Sequence, residues 1–166
     1  VAQLPWGRLD AGTTSNVGIV RVEGAANIVP AECYLDAEVR SLDPQKADAR
    51  IETMREAFES ACARHRGHLE LTVFRSYHAY QVPEAHPVVT RFQRACRSAD
   101  IEPQLTRSCG GSDNSVYTPQ GITGIVVAPG MHEIHGVNEY TSAQELTAMA
   151  QVVAALITDF DHQEDG

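Results

Sequence analysis

His132, Glu133, His135 and Glu139 fall within one stretch, Met131-His132-Glu133-Ile134-His135-Gly136-Val137-Asn138-Glu139-Tyr140. Imidazole and carboxylate are the side chains that divalent metals such as zinc take as ligands. The helical pattern His-Glu-x-x-His is absent, because only Ile134 separates Glu133 from His135. Two readings therefore stand side by side. Either these are loop histidines bonded to water and backbone, or one of His132 and His135 is a metal ligand. The place of the loop, after an apolar run and before a helix, brings the second reading level with the first.

A second stretch, Gly110-Gly111-Ser112-Asp113, has different chemistry. Paired glycines let the backbone approach a ligand closely. Ser112 and Asp113 are also helix-capping residues, and free N–H groups at a helix start can hold a carboxylate or an oxyanion. The nucleophile elbow Gly-x-Ser-x-Gly is not matched. Cys109 has the chemistry of a nucleophile, but nothing near it in sequence activates it. The third candidate is Asn27 with Arg40. A guanidinium can grip a carboxylate through two parallel hydrogen bonds. The other reading of Arg40 is a solvated surface arginine. His65, His68, His78, His86 and His162 carry no functional argument.

These residues need elements to position them. Asn16 to Val22 reads as a short strand. Cys33, Leu35, Ala37 and Val39 alternate with polar residues, the period of a half-buried strand that puts Arg40 on its polar face. Asp43-Pro44 is an N-cap followed by proline at the first helical position. Ala47, Ile51, Met54, Phe58, Ala61 and Cys62 then recur as one helical face, ended by Gly67. Leu69, Leu71 and Val73 alternate as a third strand. His86-Pro87 opens a helix with Val88, Val89, Phe92, Cys96 and Ala99 on one face. Leu105 to Ser108 reads as a short strand. Ile122 to Ala128 has the continuous apolar pattern of a strand buried on both faces. Ser142 and Glu145 form a capping box, and Leu146, Met149, Val153, Leu156, Ile157 and Phe160 give the last helix its core face. Both glycine and histidine loops then lie beyond strand ends, where open α/β sheets bind ligands.

The chain has 166 residues, 43% hydrophobic and 21% charged, which suits a globular protein. Lys+Arg is 13 and Asp+Glu is 22, a net charge of −9. No Lys or Arg follows Arg107, and the tail Asp159 to Gly166 is acidic. Such a balance disfavours nucleic-acid binding, which needs a basic patch. No apolar run approaches the ~20 residues of a membrane-spanning helix, so no membrane partner is expected. The start, Val1-Ala2-Gln3-Leu4-Pro5-Trp6, has no signal-peptide pattern and no initiating Met, so the chain is expected to begin inside a longer one. Cys33, Cys62, Cys96 and Cys109 are dispersed without a Cys-x-x-Cys pair. They read as reduced thiols of a cytoplasmic protein, with Cys33, Cys62 and Cys96 in the core.

Taken in order, these motifs resemble a known family. Gly7-Arg8-Leu9-Asp10, Thr13-Thr14-Ser15-Asn16-Val17-Gly18, Ala26-Asn27-Ile28-Val29-Pro30 and Asp36-Ala37-Glu38-Val39-Arg40-Ser41 are similar to the lid, or dimerisation, domain of M20 metallopeptidases. The peptidase T-like aminopeptidases are the branch they match. Gly110-Gly111-Ser112-Asp113-Asn114, Gly121-Ile122 and Ile134-His135-Gly136-Val137-Asn138-Glu139-Tyr140 continue the match over nearly the whole chain. The resemblance implies a fold: an incomplete ferredoxin-like β-β-α-β lid over 1–82, then an α/β segment of a zinc-peptidase catalytic domain over 83–166. It implies that His135 is a zinc ligand, that Asn27 and Arg40 bind the substrate's carboxylate, and that Gly110, Gly111 and Ser112 line the cleft. His132 receives no role. The implied activity is metal-dependent hydrolysis of peptide bonds in small peptides, of aminopeptidase type. Two zincs would activate a water and a glutamate would move its proton.

The departures define the rest. The family's His-x-Asp motif, its Glu-Glu pair and a further acidic ligand are absent, so no catalytic residue is assigned. The chain is expected to start near the end of the first lid helix and to be inactive alone. Its expected partners are a small peptide substrate and either a second copy or a missing N-terminal catalytic half. Two alternatives stand beside this reading: a non-catalytic dimerisation or binding module, and an amidohydrolase of N-acyl amino acids.

Overall fold

Asp10 closes the first turn of the fold by accepting the Gly12 N–H on Oδ1 at 2.8 Å. This links β1 (Gly7–Asp10) to β2 (Thr13–Arg21), and β2 pairs in turn with β3 (Tyr34–Ser41). The result is a three-stranded antiparallel sheet in the order β1-β2-β3. The computed structural model of the chain describes residues 4–128 and 130–158. They form two units, Val1–Ala79 with Ser108–Gly111 and Tyr80–Arg107 with Ser112–Gly166.

In the first unit the register explains how the apolar face is kept. Thr13, Ser15 and Val17 pair with Ser41, Val39 and Ala37, and a skip between Val17 and Ile19 brings Val20 opposite Leu35. Paired residues share a face. The extra residue therefore keeps Val20 on the face of Val39 and Leu35 where strict alternation would turn it away. Arg40 and Glu38 stand on the opposite, exposed face. Helix α1 (Pro44–His65) follows, capped by Asp43, whose Oδ1 accepts from the Gln45 N–H at 2.9 Å. It buries Met54 and Arg50, not the exposed Ala61. The Arg50 guanidinium donates to Ser15 Oγ at 3.2 Å and to the Pro5 carbonyl, and lies over the Trp6 ring. That explains why an arginine sits inside: its stem fills space and its head finds acceptors. The left-handed end position is taken by Arg66, with φ 58, one residue before Gly67.

The second unit holds α2 (Pro87–Ser98), α3 (Asn114–Tyr117), a 3-10 turn (Thr118–Gln120) and α4 (Ala143–Thr158). His86 caps α2, its Nδ1 accepting from the Val88 N–H at 3.2 Å. Ala95, Cys96 and Val152 form the centre where α2 meets α4, with Phe92, Met149 and Leu156 around them. Burial pushes the Cys96 thiol above its ordinary value.

The first unit is α+β as expected, and several local readings change. The segments at 69–73, 105–108 and 122–128 form no ladder among the described residues. Alternation marks a face, but a strand exists only where a neighbour accepts its hydrogen bonds. Cys33 is exposed, because it precedes β3 and gains nothing from its packing. The buried stripe of α4 runs through Val152, while Leu146, Val153 and Ile157 are exposed. Conversely, β1 was not legible as a strand, since four largely exposed residues carry little pattern. Phe160 and the tail from Asp159 lie outside the described residues. No helix among the described residues is long and apolar enough to cross a membrane.

Candidate functional site

The histidine loop of the second unit is a pinned turn. His132 and Tyr140 form an isolated antiparallel bridge, with N–H to carbonyl distances of 2.9 and 3.2 Å in the two directions. Their rings stack at 4.6 Å. His132 Nε2 lies 2.6 Å from Glu145 Oε1. Glu145 Oε2 accepts from the Ser142 N–H at 2.9 Å, and the Glu145 N–H donates to Ser142 Oγ at 3.1 Å. The expected capping box is therefore present, with a histidine added to it. The Ser142 hydroxyl first, then His132 and the Ser142 N–H, hold the Glu145 carboxyl at about 2, below its ordinary 4.5.

His135 is at the tip of this turn and exposed. Its φ is 67 and that of Glu133 is 50, both left-handed and unfavourable for residues with a Cβ. The His135 N–H donates to Glu139 Oε2 at 2.8 Å, and the Gly136 N–H to the Glu133 carbonyl at 2.9 Å. A Cβ at Gly136 would stand 2.9 Å from that same carbonyl oxygen, so glycine is required there. The loop thus presents an imidazole on a strained backbone fixed at both ends. Among the described residues no three His, Cys, Asp or Glu side chains come together as a metal-binding group. One imidazole does not fit a complete metal centre, which needs several converging donors.

The first unit gathers other expected residues. Arg40 Nε and Nη2 meet Glu38 Oε1 and Oε2 at 2.9 and 3.0 Å, a two-pronged ion pair. Its Nη1 lies 3.5 Å from the Cys109 carbonyl. Arg40 is therefore beside the segment that carries Gly110 and Gly111. That segment is held by Cys109 Sγ, which donates to the Gly12 carbonyl at 3.4 Å, and by the Gly110 N–H on Ser108 Oγ at 2.9 Å. Gly111 lies against Tyr77: a Cβ there would be 2.8 Å from the ring. Asn27 sits exposed in the turn closed by the Ile28 N–H on the Ala25 carbonyl at 3.0 Å and joins neither group. Ser112 belongs to the second unit, where its Oγ accepts from the Asn114 N–H at 3.2 Å just ahead of α3, whose N-cap position is Asp113. A surface hollow of about 230 Å³, lined by Asp10, Thr13, Ser41, Leu42, Asp43 and Lys46, holds none of the expected residues. The sequence reading missed Glu38, Tyr140 and the use of His132. Glu38 was legible, because period two puts it on the face of Arg40.

Residues 6–159 match peptidase family M20/M25/M40. The uncharacterised protein YqjE of Bacillus subtilis (strain 168) is 35% identical over 161 residues, which is 96% of this chain and 43% of YqjE. The crystal structure of aminopeptidase PepT from Bacillus cereus ATCC 10987 matches 94% of this chain and 42% of its own, with a TM-score of 0.74 and 35% identity. The crystal structure of a tripeptidase from Staphylococcus aureus subsp. aureus Mu50 matches 95% of this chain and 42% of its own, with a TM-score of 0.82 and 30% identity. The chain thus spans about two fifths of the length of these relatives.

Proposed function

The chain belongs to peptidase family M20/M25/M40, and from that membership we propose that it is part of a metal-dependent enzyme hydrolysing peptide bonds in small peptides. Peptidases of this family generally use metal ions. The observation that carries the reading is the likeness, over almost the whole chain, to an aminopeptidase and a tripeptidase of known structure. Residues 1–82 serve as most of a lid or dimerisation domain, and residues 83–166 as the C-terminal part of the catalytic domain. The full-length protein is a cytoplasmic aminopeptidase, and its partners are the small peptide and a second copy or the N-terminal catalytic half.

The metal is zinc, and His135 is the one donor this chain contributes. The other donors and the general base come from outside the described residues. The chain's own work is then binding and positioning. The pinned turn holds the His135 imidazole out from the loop. Arg40 takes the carboxylate of the peptide, with Asn27 as a second polar contact. Gly110, Gly111 and Ser112 line the path of the substrate backbone.

His135→Ala in the full-length protein tests this reading. The expected result is loss of one metal equivalent together with turnover, measured by metal analysis and peptide hydrolysis. Unchanged turnover and metal content reject His135 as a ligand and favour the non-catalytic module.

A further inference from the structure

Arg40 already holds a carboxylate. Its Nε and Nη2, the two nitrogens that form a parallel fork, are both engaged by the two oxygens of Glu38 at 2.9 and 3.0 Å. This is the geometry in which a guanidinium binds a free carboxylate from another molecule. Both side chains are on the open face of β3, and the pair is 41% and 55% exposed. An exposed pair of this kind is weak, because water and salt screen it. It can therefore open without disturbing the sheet. The remaining nitrogen, Nη1, lies 3.5 Å from the Cys109 carbonyl, beside the Gly110-Gly111 segment.

We propose that Glu38 is a specificity-determining residue: an internal competitor that occupies the Arg40 fork until a substrate carboxylate displaces it. The inference rests on the reading of Arg40 as the carboxylate-binding residue. A ligand with two carboxylate oxygens replaces Glu38 one for one and restores the fork. A peptide ending in a neutral amide offers no such exchange and leaves Glu38 in place. Discrimination then comes from the competitor as well as from the attraction. Glu38 also keeps the guanidinium paired in the absence of substrate.

The test is the ratio of KM values, in the full-length enzyme, for a short peptide with a free C-terminal carboxylate and for the same peptide amidated. Glu38→Gln removes the competing charge and keeps the shape. It is expected to lower KM for the free acid about two- to fivefold relative to the amide, the scale of an exposed ion pair. Glu38→Ala is expected to do the same, and Glu38→Gln is expected to have no effect on the ratio in an Arg40→Ala background. An unchanged or raised KM for the free acid in both Glu38 variants, with Arg40→Ala still collapsing the ratio, overturns the competitor and leaves Arg40 in its role. Arg40→Ala leaving the ratio unchanged overturns both.

Discussion

Glu139 lies in sequence among the His and Glu side chains of the candidate metal loop, and in the fold it is a fastener for the turn. Its carboxylate accepts the His135 N–H at 2.8 Å and so helps to hold a left-handed residue in place. Such a backbone costs roughly 1–2 kcal/mol for a residue with a Cβ, so it persists only where contacts fix it. Glu139→Ala is expected to free the turn. Amide exchange at His135 should quicken on the order of tenfold, as befits the loss of one charge-assisted hydrogen bond at the surface. Unaltered exchange would show that the His132–Tyr140 bridge suffices alone. At this scale the sequence was informative about residue type and poor about use. His135 stood out because His and Glu cluster near it. That Glu139 would turn to a backbone N–H depends on φ values that no spacing rule contains. Cys33 shows the same limit: a thiol at the start of an apolar alternation is exposed, because β3 begins one residue later.

The helices were legible down to their caps, and their faces less so. Asp43 and Ser142 with Glu145 were read from sequence as caps and cap as read, while His86, read as opening its helix, proves to cap it. Caps are local, so three or four residues determine them. The buried stripe of α4 depends on its partner. The helix is apolar nearly all round, and Ala95 and Cys96 of α2 select Val152. Val152→Ala is therefore expected to cost about 2 kcal/mol in chemical denaturation, two buried methyl groups and a cavity. Val153→Ala, 42% exposed, should stay within about 0.5 kcal/mol. Equal effects would place α4 in another rotation. The clasp at the start of α4 carries a pH dependence. Glu145 is held at about 2 against an ordinary 4.5, so the folded state binds this proton less readily than the unfolded one. Its contribution is complete above pH 4.5 and is lost as the pH falls towards 2. Amide protection at His132 and Tyr140 should fall across that window, and Glu145→Gln should remove the dependence.

As a whole, the chain buries little and exposes much. Met54 is the buried hydrophobic residue of the first unit, and Val89, Ala95, Cys96 and Val152 those of the second, among the described residues. Against these, Val20 is 61% exposed, Phe74 83%, Val29 91% and Ile122 62%. Apolar surface of this extent marks an interaction face or an aggregation liability. Both edges of the sheet, β1 and β3, are also open among the described residues, and open edges pair with other chains. The alternation at 69–73 and the apolar run at 122–128 read as strands in the sequence, and among the described residues no ladder covers them. Under the proposed function, a second copy or the N-terminal catalytic half would cover them. Residues 1–166 made alone should therefore associate as concentration rises and bind a hydrophobic dye. The full-length protein at equal concentration should bind much less. Phe74→Glu with Val20→Lys should shift the isolated chain towards monomer in sedimentation. A monomeric, dye-silent 1–166 chain would mean that these faces close on themselves in solution.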